Sequence, residues 1–130
     1  WNGCEAINSD FIFAPLTLGM TGSFATGTVA LTFGEEIRQG IALAFEEANA
    51  NAVIGRKISL VTYDDGTLTS NNASAVDFLI NQQQVFMFTG VSGYATSTYL
   101  LPILKNSSIP LLGPTTGDPT LIKPFNRDVL

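Results

Sequence analysis

The chain has no histidine and a single cysteine, Cys4, among its 130 residues. These shortages remove the commonest nucleophile–base pairs and the usual zinc ligand sets, so no enzymatic activity is expected. One thiol cannot close an internal disulfide, which leaves a reducing compartment, a partner outside this chain, or a plain buried thiol. Basic residues are also scarce: six Lys and Arg against eleven Asp and Glu give a formal net charge of -5. Arg38, Arg56, Lys57, Lys105, Lys123 and Arg127 are scattered, so no nucleic-acid surface is expected. No apolar run approaches the ~18 residues that a membrane helix needs. There is no initiator Met and no basic stretch ahead of an apolar one, so the start reads as a processed terminus or a fragment edge.

With 45% hydrophobic residues and only 13% charged, the chain can bury a core. Residues 1–9 lack periodicity and read as a leader segment, and 10–130 read as one folded unit. The first strand is predicted at 11–16, ending at Pro15-Leu16, and a long Gly-, Thr- and Ser-rich loop is predicted over 17–32. A helix follows over 35–48, with Ile37, Ile41, Ala44, Phe45 and Ala48 as its buried stripe. Glu35 and Glu36 should sit at its positive end, and Arg38, Gln39, Glu46 and Asn49 on its outer face. The alternating segment 56–63 reads as a half-exposed strand ended by Asp64-Asp65-Gly66. A second helix from about Thr69 should bury Ala73, Val76 and Ile80.

The stretch 85–97 carries the most information. Val85-Phe86-Met87-Phe88 is a continuous apolar run, as in a strand covered on both faces. It spills into Thr89-Gly90-Val91-Ser92-Gly93-Tyr94-Ala95-Thr96-Ser97, a loop opening a helix over 97–106. Gly90 and Gly93 let the backbone approach something closely, and the hydroxyls with the free N–H groups of the helix's first turn suit a polar or anionic ligand. The simpler reading is that Thr96 or Ser97 caps the helix. Pro102 is tolerable only near the helix start. A fourth strand, 109–112, leads into a sharp turn over 113–119.

This alternation of strands and helices predicts an α/β fold: a doubly wound parallel sheet of order 2-1-3-4. Its switch point lies between the first and third strands, where the loops 17–32 and 90–97 would face each other.

Ala14-Pro15-Leu16-Thr17, Phe33-Gly34, Arg38-Gln39-Gly40-Ile41, Gly55-Arg56-Lys57-Ile58 and Tyr63-Asp64-Asp65-Gly66 together resemble the first lobe of the type I periplasmic binding proteins. The resemblance is to their branched-chain amino-acid-binding branch. It continues in order through Gly90-Val91-Ser92-Gly93, Leu101-Pro102, Ile109-Pro110, Gly113-Pro114, Thr116-Gly117 and Pro124-Phe125-Asn126-Arg127. It implies a two-lobed clamp closing on a small polar or amino-acid-like molecule, in an extracytoplasmic transport receptor or a sensor ectodomain. Residues 10–130 would be part of its first lobe, ending where a fifth strand begins. It also implies a membrane transporter or a membrane-anchored remainder as partner, and the option of a homodimer through first-lobe helices. A lobe kept only for protein contact is the alternative reading.

By matching position, the ligand-facing residues implied are Phe33, Ser92, Tyr94, Ala95, Thr96, Thr115, Thr116 and Gly117. Tyr94 and Gly117 stand where amino-acid binders of the family offer a serine and a threonine hydroxyl. The expected ligand is therefore polar but not a simple branched-chain amino acid, with Ser92, Thr96 and Thr116 supplying hydroxyls instead. Asn72-Ala73-Ser74 and Asn106-Ser107-Ser108 are glycosylation-type triplets. Asp64-Asp65 resembles a metal-holding pair, but no further carboxylate and lysine join it, and a turn-forming role fits better. No G-x-G-x-x-G or G-K-[ST] element is present, so no cofactor is expected.

Overall fold

The computed structural model describes residues 14–24, 29–51, 55–66 and 68–130. Its strands are β1 (Leu16–Gly22), β2 (Ile58–Asp64), β3 (Met87–Thr89) and β4 (Leu111–Leu112). Three helical segments connect them: α1 (Val29–Ala50), α2 (69–82) and α3 (Tyr94–Ser107). All strand pairs are parallel and the order is β2-β1-β3-β4, the doubly wound sheet that the sequence predicts. After β2 the chain steps back across β1 to reach β3. Right-handed crossovers in opposite directions put α1 on one face and α2 and α3 on the other. Beyond β4, Val129 makes a parallel bridge with Leu111, and the Leu130 N–H donates to the Leu111 carbonyl at 2.8 Å. A fifth strand position is thus marked at the sheet's edge.

The first strand departs from expectation. Residues 17–22, read as loop, belong with Leu16 to the central strand, and 29–32 already belong to α1; residues 11–13, read as strand, lie outside the described residues. From Leu18 to Gly22 every β1 residue is buried. Two of its glycines sit close to neighbours: a Cβ at Gly19 would lie 3.1 Å from Val85 Cγ1, and one at Gly22 would displace the Ser92 hydroxyl. Strand preference reflects fit to neighbours, so a Gly- and Thr-rich strand between close neighbours looks like a loop in sequence.

Helix α1 begins at Val29, so Glu35 and Glu36 lie nearly two turns inside it rather than at its positive end. Glu35 instead accepts hydrogen bonds from Arg38 at 2.5 and 2.7 Å and from Gln39 at 2.8 Å. Those bonds, Arg38's first, hold its carboxyl at a pKa of about 2. Ile37, Ile41, Phe45 and Ala48 are half-buried, but Ala44 is exposed. Ala42, Phe45 and Asn49 border a small cavity with Ile58 and Leu60. Asn49 therefore faces inward: its Oδ1 accepts from the Ile58 N–H at 2.8 Å and its Nδ2 donates to the Ile58 carbonyl at 2.9 Å.

In α2 the buried positions are Asn72, Ala75 and Leu79, with Val76 and Ile80 half-buried and Ala73 exposed. The segment opens as a 3₁₀ turn over Thr69–Asn71 and closes as a π-helical turn over Asp77–Gln82. The buried positions Asn72, Ala75 and Leu79 keep helical spacing, one position out of phase with the expected Ala73. Pro102 falls in the middle of α3 rather than near its start. The main core lies between the sheet and the α2–α3 face, with Leu79, Phe88, Leu100, Leu104 and Leu111 at 0–1% exposure.

Candidate functional site

The carboxyl ends of β1, β3 and the β4 connection lie side by side. The Ser92 N–H donates to the Thr21 carbonyl at 3.4 Å, and Ser92 forms a parallel bridge with Thr115. The Thr115 N–H and hydroxyl both donate to the Val91 carbonyl, at 2.9 and 3.3 Å. These bonds bring 90–97 and 113–117 together next to the switch point between β1 and β3. Helix α3 opens directly from this junction. Its N-cap, Gly93, has φ 101° and provides no side-chain cap. The N–H groups of Tyr94, Ala95 and Thr96, in the first turn, have no intrahelical acceptor. The Ser97 hydroxyl donates to the Gly93 carbonyl at 2.7 Å, and the Thr96 hydroxyl is committed elsewhere. Neither residue caps the helix.

Gly90 is needed for a different reason than the one expected. Its φ is 61°, and a Cβ there would lie 2.5 Å from Ile41 Cδ1 and 3.0 Å from Ile37 Cγ2. What comes close to this backbone is helix α1. Its N–H is also occupied, donating to the Leu112 carbonyl at 3.2 Å. Gly34 plays a similar packing role, since a Cβ there would run into the Ser23 carbonyl and lie 3.3 Å from Ser92 Oγ.

Beneath the junction sits a buried carboxylate. Asp65 is 0% exposed and its Oδ2 accepts from the Thr96 hydroxyl at 2.8 Å and the Thr21 hydroxyl at 3.1 Å. One side chain thus ties the end of β2 to β1 and to the first turn of α3. Thr96, 3% exposed, has its donor directed into this tie and away from the surface. Asp64 behaves as expected of a turn former, accepting from the Gly66 N–H at 2.9 Å. Among the described residues no group of three His, Cys, Asp or Glu could hold a metal ion. Nothing in Asp64-Asp65-Gly66 as a sequence distinguishes the buried tie from the exposed turn former.

The remaining candidates separate. Ser92, 9% exposed, lies at the junction floor, whereas Phe33 at the α1 side is 54% exposed. Tyr94, 60% exposed, and Ala95 border a cavity between α2 and α3. Thr116 and Gly117 border another cavity with Leu121 and Leu130. Thr115 is half-buried against Val91. The three connections therefore meet through Ser92 and Thr115, while Tyr94 and Thr116 flank that meeting point on cavities of their own.

Asp118, which sequence reasoning passed over, braces one of these connections. It is 4% exposed and accepts from the Thr120 hydroxyl at 2.7 Å, the Thr120 N–H at 2.9 Å and the Thr98 hydroxyl at 2.8 Å. The Thr120 hydroxyl above all, with its N–H and Thr98, holds this carboxyl below the ordinary range against the opposing effect of burial. Its own N–H donates to the Thr116 hydroxyl at 3.3 Å. The two glycosylation-type asparagines also differ. Asn106 is exposed on the last turn of α3, but Asn72 is 2% exposed, and a glycan acceptor must reach solvent.

The sequence profile of the family described as "Periplasmic binding protein" matches residues 15–126. Among solved structures, a possible leucine/isoleucine/valine-binding protein from Rhodopirellula baltica SH 1 is 30% identical with a TM-score of 0.76, over 84% of this chain and 29% of that one. A branched-chain amino acid transporter substrate-binding protein from Streptococcus pneumoniae, in complex with isoleucine, is 22% identical with a TM-score of 0.68, over 80% and 30%. A solute-binding protein of an ABC transporter from R. palustris, in complex with benzoate, is 24% identical with a TM-score of 0.68, over 80% and 28%. The chain spans under a third of the length of each. No match is found among curated proteins.

Proposed function

Because the chain belongs to the periplasmic binding protein family, we propose that it contributes the first-lobe half of a site for a small polar ligand, in an extracytoplasmic solute-binding protein or receptor ectodomain. A membrane transporter or a membrane-anchored remainder is its partner, and no catalytic step is involved. The observation that carries this reading is the Ser92–Thr115 bridge beside the uncapped first turn of α3. It sets a hydroxyl and a row of N–H donors at the carboxyl edge of the sheet, next to the switch point.

Each residue then has a part. The Ser92 hydroxyl and the N–H groups of Tyr94 and Ala95 take the polar head of the ligand. The Thr116 hydroxyl, which already accepts from the Asp118 N–H, keeps its own proton to donate, and Gly117 leaves that side open. Phe33 and Tyr94, both largely exposed, offer rings to cover the ligand's body when the lobes close. Thr96 holds the scaffold through Asp65 and does not contact ligand. With Tyr94 and Gly117 in place of two small hydroxyl side chains, the preferred ligand is polar but not leucine, isoleucine or valine.

Titration calorimetry on the full-length protein tests this, with a panel of amino acids, aromatic carboxylates, amides and sugars. We expect a ligand other than the branched-chain amino acids to bind best, and Ser92→Ala to weaken it at least tenfold, the equivalent of ~1.4 kcal/mol. Tight leucine or valine binding would overturn the specificity, and an affinity indifferent to both Ser92→Ala and Tyr94→Ala would overturn the location.

A further inference from the structure

Helix α3 starts without the usual means of fixing its first turn. Gly93, the residue before it, has φ 101° and offers no side-chain cap, and a glycine at that point leaves the direction of the turn open to local rotation. Two buried carboxylates hold it instead. Asp65, from the end of β2, accepts from the Thr96 hydroxyl at 2.8 Å, and Asp118, from the connection after β4, accepts from the Thr98 hydroxyl at 2.8 Å. Positions two apart on a helix lie about 200° around its axis from one another, so the two ties grip α3 from opposite sides. The exposures agree: Thr96 is buried and Thr98 is exposed.

Each carboxylate is firmly footed. The Asp65 N–H donates to the Gly22 carbonyl at 3.0 Å, and its carbonyl accepts from the Leu68 N–H at 2.9 Å and from Asn71 Nδ2 at 3.1 Å. Asp118 Oδ1 accepts from both the N–H and the hydroxyl of Thr120. At 0% and 4% exposure neither residue is open to a ligand.

We infer that Asp65 and Asp118 are positioning residues of the junction site: acting through Thr96 and Thr98, they fix the rotation of α3 so that the N–H groups of Tyr94 and Ala95 meet the same ligand head group as the Ser92 hydroxyl. This rests on the junction reading above and adds to it the two residues that set its geometry. One tie would keep α3 from tilting away on one side, whereas opposed ties also stop it turning about its axis. Donors held in place before the ligand arrives need no ordering when it binds.

Residual dipolar couplings of the full-length protein test this without a ligand, since they report the direction of each N–H bond relative to the sheet. Asp65→Ala and Asp118→Ala should each turn the Tyr94 and Ala95 bonds while those of β1 and β3 keep their wild-type directions. Asp65→Asn, which keeps an acceptor oxygen, should restore the wild-type values. Thr21→Val removes a bond to the same Asp65 oxygen but not the tie to α3, so it should lower stability without turning those bonds. If Asp65→Ala does not fold, Thr96→Val removes the same tie and keeps the side chain's shape. Calorimetry with benzoate as the probe reads the consequence: Asp65→Ala should weaken binding roughly tenfold at unchanged stoichiometry, and Asp65→Asn should stay within about twofold of the wild type. A merely structural brace would lower stability and the fraction of protein that binds, and would move neither reading. Wild-type couplings in both alanine variants would overturn the inference, as would turned bonds with an unchanged benzoate affinity. An affinity for benzoate indifferent to Ser92→Ala would instead overturn the junction reading, with the couplings left to decide whether the two carboxylates set the helix.

Discussion

Replacing Thr96 by valine isolates the tie that holds the carboxyl ends together. Valine has the shape of threonine with a methyl in place of the hydroxyl, so the change opens no cavity at a position only 3% exposed. What is lost is the 2.8 Å bond to Asp65 Oδ2. A hydrogen bond to a charged group contributes about 1.5–3 kcal/mol, and an acceptor left short of donors in the interior adds to the loss. Asp65 retains the Thr21 hydroxyl at 3.1 Å, so the carboxylate is weakened in its setting and not stranded. The expected destabilisation is therefore about 1.5–3 kcal/mol. Urea unfolding followed by far-ultraviolet circular dichroism measures it, as a fall in midpoint with unchanged slope. Thr96→Ser should recover most of the loss, because it restores the donor. Combining Thr96→Val with Thr21→Val should cost more than the sum of the two, since both act on one oxygen. A loss under about 0.5 kcal/mol, within the range of an ordinary surface change, would refute the view that Asp65 is held by these hydroxyls and would return Thr96 to the list of ligand contacts.

Two further outcomes follow from the geometry. Gly90→Ala should destabilise by about 1–2 kcal/mol from its left-handed backbone alone, with an added steric part from Ile41 Cδ1; Ile41→Val in the same chain should relieve only that added part, as thermal unfolding would show. Asp118 has a folded pKa below its unfolded value, so its contribution is present above the unfolded pKa near 3.9 and is lost as pH falls through the folded one. Acid unfolding of Asp118→Asn should show a shallower loss over that window than the wild type, and identical acid limbs would refute the role given to the Thr120 and Thr98 bonds.

Sequence alone determined the class of this fold. The alternating segment 56–63 and the apolar runs at 85–88 and 109–112, separated by helical patterns long enough to cross over, point to a parallel sheet, and a doubly wound sheet places its loops at a switch point. The family was legible for the same reason, since short matches such as Tyr63-Asp64-Asp65-Gly66 and Gly90-Val91-Ser92-Gly93 keep their order along the chain. Only tertiary structure decided what particular residues do. Leu16–Gly22 is a strand because it pairs with Ile58–Asp64 on one side and Met87–Phe88 on the other, partners some forty to seventy positions away. Asn72 rather than Ala73 faces inward because the buried stripe of that helix runs Asn72, Ala75 and Leu79, a choice of phase set by packing against α3 and the sheet. Gly90 serves Ile37 and Ile41, and Thr96 serves Asp65, because each contact joins elements far apart in the chain. Periodicity reports which face of an element is apolar. Which hydroxyl remains available to a ligand depends on the donors and acceptors that folding brings within 3 Å of it, and those are not neighbours in sequence.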